Sequence, residues 1–177
     1  EAFLLGAVAP IFDIDSDPFN TLLPYSIDTS GLTGGANTTG IIFEGIYGYY
    51  TSYSTSIYGN ATFNGFNYNA AYVYGHATFN DFTYNSNYVT TATFNGSSYN
   101  ASTVDGDAIF NESSYNGNYV AGTATFNGNS YNSNYVQGNA TFNGNSYNTS
   151  YIQGDATFND NSYDYNGSYG GTTTFNN

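Results

Sequence analysis

The chain has no lysine, arginine, cysteine, methionine or tryptophan, and one histidine among its 177 residues. Each absence removes a class of explanation. Binding to a nucleic-acid backbone rests on Lys and Arg displacing counterions, so nucleic acid is not an expected partner. Attraction to anionic membrane surfaces fails for the same reason. No run reaches the ~20 apolar residues of a membrane span, so membrane insertion is not expected. Without Cys there are no disulfides, and without Lys no Lys–Asn isopeptide links. Charge of one sign remains: formal net charge is −13, with charged residues only 7% of the chain. Polarity comes instead from Asn, Ser, Thr and the Tyr hydroxyls. Aromatics at 20% and a strict period separate the chain from acidic disordered segments. The first residue is Glu1, trypsin sites are missing, and so is oxidisable sulfur. These features lead us to expect a processed chain outside the cell, secreted or at the cell surface.

What is present is a repeat. Phe63, Phe79, Phe94, Phe110, Phe126, Phe142, Phe158 and Phe175 follow one another at spacings of 16, 15, 16, 16, 16, 16 and 17. A tyrosine lies five residues after each of the first seven: Tyr68, Tyr84, Tyr99, Tyr115, Tyr131, Tyr147 and Tyr163. Such a period means that like stacks on like. One unit, Gly138–Gln153, reads as three short β-prone segments separated by Gly, Asn and Ser. The short unit loses its residue near Thr90-Thr91, and the long one gains its residue within Asp164–Ser168, so length varies at corners. The expected fold is all-β: a single-domain parallel β-solenoid of about eight three-sided, 16-residue rungs. Residues 1–38 form a non-repetitive, apolar N-terminal arm and loop, and 39–177 the repeat array. Ile41-Ile42-Phe43-Glu44 reads as a degenerate first rung, and Ile57 as its Val-like corner. The competing fold is an antiparallel meander, because Asn-Gly at 64–65, 95–96, 127–128 and 143–144 is a hairpin signal. Asn80-Asp81, Asn111-Glu112 and Asn159-Asp160 suit hairpins less well, whereas Asn at a solenoid corner accounts for all seven through stacked amides.

Four strict columns are expected to form the core. They are Ala61 to Ala156, the Phe column, the Tyr68-to-Tyr163 column, and Val73, Val89, Val104, Val120, Val136 and Ile152. Strands alternate faces, which points the Thr between Ala and Phe outward. A second tyrosine column (Tyr72, Tyr88, Tyr119, Tyr135, Tyr151) slips to Thr103 and is expected outside, where it offers a possible glycan contact.

Chemistry finds little footing. His76 stands alone and reads as an exposed substitution. Asp105, Asp107 and Glu112 lie close in sequence, but at a corner facing water and not in a cleft. No enzyme activity and no cofactor are expected. Asp13, Asp15 and Asp17 resemble the opening of an EF-hand loop, yet Pro18 and Pro24 stand where Gly and Glu are required, which leaves only a weak calcium candidate. Sequons at Asn37, Asn60, Asn95, Asn100, Asn111, Asn139, Asn148 and Asn166 are possible N-glycosylation sites, expected at the surface. The outward Thr column suggests an ice-binding solenoid as a minor reading, but its companion positions (Asn60, His76, Thr91, Asp107) are irregular.

The motif Gly-x-Ala-Thr-Phe-Asn-x-x-Ser-Tyr-Asn over residues 59–176 resembles short-period, Asn/Thr/Tyr-rich β-solenoid repeats of secreted microbial surface or filament proteins. The resemblance implies an extracellular structural or adhesive role. The repeat runs to the end of the sequence, where Phe175 is expected on an open edge, while an apolar arm (Phe3, Leu4, Leu5, Val8, Ile11, Phe12) lies outside the repeat. The expected function is the subunit of an extracellular filament, its partners copies of itself, joined through solenoid ends and an N-terminal strand. Phe66 and Phe82 are expected to join that assembly, as an apolar patch covered by residues 1–38 or by a neighbour. A glycan-binding surface adhesin is the alternative.

Overall fold

The computed structural model describes residues 59–176 and 56–57, with the backbone of 11–12, 41–44 and 51–53. Every described element is a strand, and every pairing between them is parallel. The hairpin alternative is thereby settled in favour of the β-solenoid.

Ala-Thr-Phe segments build the longest sheet. Ile41–Glu44 pairs with Ala61–Asn64, and the series ends with Ala156–Asn159 on Thr173–Asn176. The register places Phe on Phe throughout and Ala on Ala except at the two ends, where Ile41 pairs with Ala61 and Ala156 with Thr173. The second side stacks Thr51–Tyr53, Asn67–Asn69 and the Tyr-Asn pairs up to Tyr163–Asp164. The third side is narrower, held by single-residue bridges from Ile57 and Val73 up to Ile152, and then by Tyr151–Ile152 on Ser168–Tyr169. From Phe63 to Phe175 the chain makes seven regular turns. One longer turn precedes them, since Phe43 pairs with Phe63 across twenty residues. The irregular units behave as expected. The register shifts between Val73 and His76, and Tyr151 pairs with Ser168, one residue beyond the period.

Phe63 to Phe158 are fully buried and stack face to face at 4.7–5.0 Å. Each such burial contributes ~1.5–3 kcal/mol. The Ala and Val columns complete the apolar core.

The fourth expected column is corrected. Tyr68, Tyr84, Tyr99, Tyr115, Tyr131 and Tyr147 are only half-buried, and Tyr163 is exposed. Their neighbours point inward instead: Thr83, Ser98, Ser114, Ser130 and Ser146 before the tyrosine, and Asn69, Asn85, Asn100, Asn116, Asn132 and Asn148 after it. For the Ser and Asn positions the reason is hydrogen bonding between turns; the Thr83 hydroxyl is buried without such a partner. Ser98 Oγ reaches both the Phe79 carbonyl (3.0 Å) and the Asn95 carbonyl (2.7 Å), a pattern repeated at Ser114, Ser130, Ser146 and Ser162. The buried asparagines form one amide ladder, each Nδ2 donating to the Oδ1 of the next turn at 2.8–3.0 Å. Buried polar groups satisfied in this way carry no desolvation penalty that a bare serine or amide would carry.

Two corners need particular backbones. The residue after each corner asparagine is left-handed: Gly65, Gly96, Gly128 and Gly144, but also Asp81, Glu112 and Asp160 at φ near +60°. The asparagines before them (Asn64 to Asn176) form a second amide ladder at 2.7–2.8 Å, as expected for stacked corners. At the third corner a Cβ on Gly138 would lie 2.3 Å from the Gly122 carbonyl oxygen, so glycine there is a steric requirement.

Candidate functional site

The two edges of the ten-stranded sheet lie at opposite ends of the stack. One edge is Ile11–Phe12, which pairs in parallel with Ile42–Phe43 of its own chain. The other is Thr173–Asn176, on whose strand Phe175 is 53% exposed while stacking on Phe158 at 4.8 Å. The last turn departs from the repeat. Tyr169 takes the position of the Val column and packs edge-on against Phe158 at 6.3 Å. Its hydroxyl meets the end of the buried ladder at Asn148, and burial with the nearby Asp164 pushes its pKa upward. This end therefore carries a partial plug over the Val side, while the Phe side continues to an open edge among the described residues. Of the remaining arm residues, Phe3, Leu4, Leu5 and Val8 lie outside the described residues, as do Asp13, Asp15, Asp17 and Asn37.

Phe66 and Phe82 stack on each other at 5.0 Å, and Phe82 is 50% exposed. The later turns place Ser97, Ser113, Asn129, Asn145 and Asn161 in that column. The aromatic pair is thus confined to the turns nearest the N-terminal end.

The outer tyrosines stand on the third side, exposed or half-buried as expected. They stack on one another: Tyr119 on Tyr135 at 5.4 Å, Tyr135 on Tyr151 at 5.5 Å, and Tyr72 beside Tyr88 at 6.0 Å. Their hydroxyls donate along the axis, Tyr119 to Gln137, Tyr135 to Gln153, and Tyr88 to Asp105. Most ring faces are therefore occupied by neighbours, and the stripe presents edges to solvent.

Neither a family model nor a characterised protein or solved structure matches the chain. The parallel β-solenoid with its 16-residue, Asn- and Tyr-rich repeat thus rests on the structure itself.

Two further expectations change. His76 is half-buried, not exposed. Its ring nitrogens contact the hydroxyls of Thr91 (2.9 Å) and Thr93 (3.1 Å), and burial holds its pKa below the usual histidine value. Among the sequons, Asn100 and Asn148 are fully buried in the inner ladder, so in the folded chain neither amide is available for glycosylation. Asn95 and Asn111 donate within the corner ladder; Asn60 is half-buried and its Oδ1 accepts the His76 amide, while Asn139 and Asn166 are exposed. Asp105 and Asp107 face water, Asp107 accepting from the amide and hydroxyl of Thr123 at 2.8 Å each. The outward Thr column is interrupted by the exposed Ile109. What sequence reasoning missed is the inner Ser–Asn lining. Its signal was available, since Ser at the first of these positions and Asn at the second are nearly as regular as the tyrosine between them.

Proposed function

We propose that this chain is the structural subunit of an extracellular filament or surface appendage, assembling head to tail with copies of itself. One observation supports this reading most directly: a single sheet ends in Ile11–Phe12 at one pole and in Thr173–Asn176 at the other. Edge strands recruit further strands through their unpaired N–H and C=O groups. The two edges belong to the same continuous parallel sheet, so the last strand of one copy suits the outer edge of the arm strand of the next. Such a heterologous, non-closing contact propagates as a fibre. The arm serves as the joining strand, and Phe175 extends the Phe stack across the joint. The extracellular placement rests on composition.

Negative-stain microscopy of the purified 177-residue chain tests the proposal. Long fibres of constant width are expected, and they are lost on deleting residues 1–14 while the β-sheet circular dichroism persists. Monodisperse particles of single-chain size at high concentration would overturn the proposal and leave the monomeric adhesin as the better reading.

A further inference from the structure

Between Tyr72 and Tyr151 the outer tyrosine column is interrupted once, by Thr103. Val89, Val104 and Val120 bridge in register, and their amides bond to the carbonyls of Thr103, Tyr119 and Tyr135. Tyr88, Thr103 and Tyr119 therefore occupy one column on three successive turns. Tyr88 contacts the rings of Tyr72 and Tyr74, and Tyr119 contacts Tyr135. Between Tyr88 and Tyr119 stands only Thr103. Two strand spacings place the backbone positions of these two tyrosines ~9.6 Å apart, room for one planar group between their rings at ~4.8 Å from each, within aromatic stacking range.

The surroundings select the kind of group. In the turns above, Gln137 and Gln153 fill the neighbouring column and take the tyrosine hydroxyls. At the gap that column holds Thr90, Asp105 and Ala121. Two of these are short, and the third is an exposed carboxylate on the same turn as Thr103. Asp105 accepts the Tyr88 hydroxyl at 2.9 Å, which ties it to one wall. No basic residue exists anywhere in the chain to neutralise it. Two tyrosine faces, each the negative pole of a ring quadrupole, and one carboxylate with no basic partner all favour a cation. A guanidinium is planar, weakly hydrated, stacks on aromatic faces and forks onto carboxylates, whereas an ammonium does not fill a slot between two rings.

We propose that Tyr88, Thr103, Asp105 and Tyr119 form a docking slot for the arginine side chain of a partner protein. The arginine is sandwiched between the two rings and paired with Asp105. The site is independent of the sheet ends, so its test does not depend on filament formation.

Titration of the 177-residue chain with N-acetyl-arginine amide, followed by calorimetry and tyrosine fluorescence, reads the site. Saturable one-to-one binding with Kd on the order of 1 mM is expected, weakening as salt is raised. The neutral citrulline analogue is expected to bind at least tenfold more weakly. Thr103→Tyr restores the column, leaves circular dichroism unchanged, and is expected to abolish binding. Asp105→Asn is expected to weaken it about fivefold while leaving both rings in place. Binding that survives Thr103→Tyr undiminished, or citrulline binding as tightly as arginine, overturns the proposal. So does the absence of binding to the parent chain at 20-fold the expected Kd.

Discussion

Asn100 Nδ2 donates to Asn116 Oδ1 at 3.0 Å inside the solenoid, with both side chains fully removed from solvent. The link is one of a ladder running from Asn69 to Asp164, in which each amide bonds to the turns above and below while its Oδ1 also accepts the backbone N–H two residues on. Truncating Asn116 takes one bond from each of Asn100 and Asn132 and removes the acceptor of the Asn118 backbone amide. Asn116→Ala is expected to destabilise the fold by about 2–4 kcal/mol, from the loss of two buried inter-turn bonds and of the acceptor for the Asn118 amide. The same change at Asn127, in the half-buried corner ladder, is expected to cost about 1 kcal/mol. Urea denaturation of the two variants compares them, and equal losses would mean that burial adds nothing to the inner ladder.

Gly138→Ala places a methyl 2.3 Å from the Gly122 carbonyl oxygen, where backbone and not a flexible side chain must yield. A loss of at least ~3 kcal/mol is expected. The thermal midpoint of the variant measures it. A variant as stable as the parent would show that the corner opens at little cost.

Glu112 holds a φ of 62° at a position that is Gly in four other turns. An L-residue there carries a strain of about 1 kcal/mol that glycine avoids. Glu112→Gly is expected to raise stability by roughly that amount, less the added chain entropy of glycine. A clear decrease in the denaturation midpoint would contradict the strain.

His76 titrates below its ordinary value of 6.5 because burial disfavours the charged form. The unfolded chain then binds more protons than the folded one as pH falls below 6.5, so stability is full above that pH and declines toward the lowered native pKa. His76→Asn, with the residue found at the equivalent Asn60 and Asn139, is expected to lack this component. The difference between the two stability–pH curves isolates it from the protonation of the thirteen carboxylates. Parallel curves between pH 7 and 5 would remove His76 as a pH-sensitive group.

The half-buried Phe66 and the exposed Phe82 form a stacked pair that the later turns replace with Ser or Asn. The double change Phe66→Ser and Phe82→Ser is expected to keep the circular dichroism of the parent and to reduce fibre length or number in the microscope. Unaltered fibres would assign the pair to packing within the chain.

Much of this fold was legible in one dimension. The Phe, Ala and Val columns, the corners that absorb length changes, the parallel stack and the stacked corner asparagines all follow from a 16-residue period and from β alternation within one short segment. Ile11–Phe12 and Thr173–Asn176 were legible as segments, but their place at opposite edges of one sheet was not. Only the tertiary structure decided which way the second side faces. Counting by twos from Phe94 reaches Ser98 and Asn100 and leaves Tyr99 on the other face, as the structure has it, but a left-handed corner residue does not oblige strand alternation to continue across it, so the count alone did not decide the matter. The choice between burying tyrosine and burying Ser and Asn then turns on hydrogen bonds supplied by other turns, Ser98 to Phe79 and Asn100 to Asn116 among them. A single repeat read alone contains neither partner. A polar lining is costly in one turn and stable in a stack, and that difference arises only when the turns are brought together.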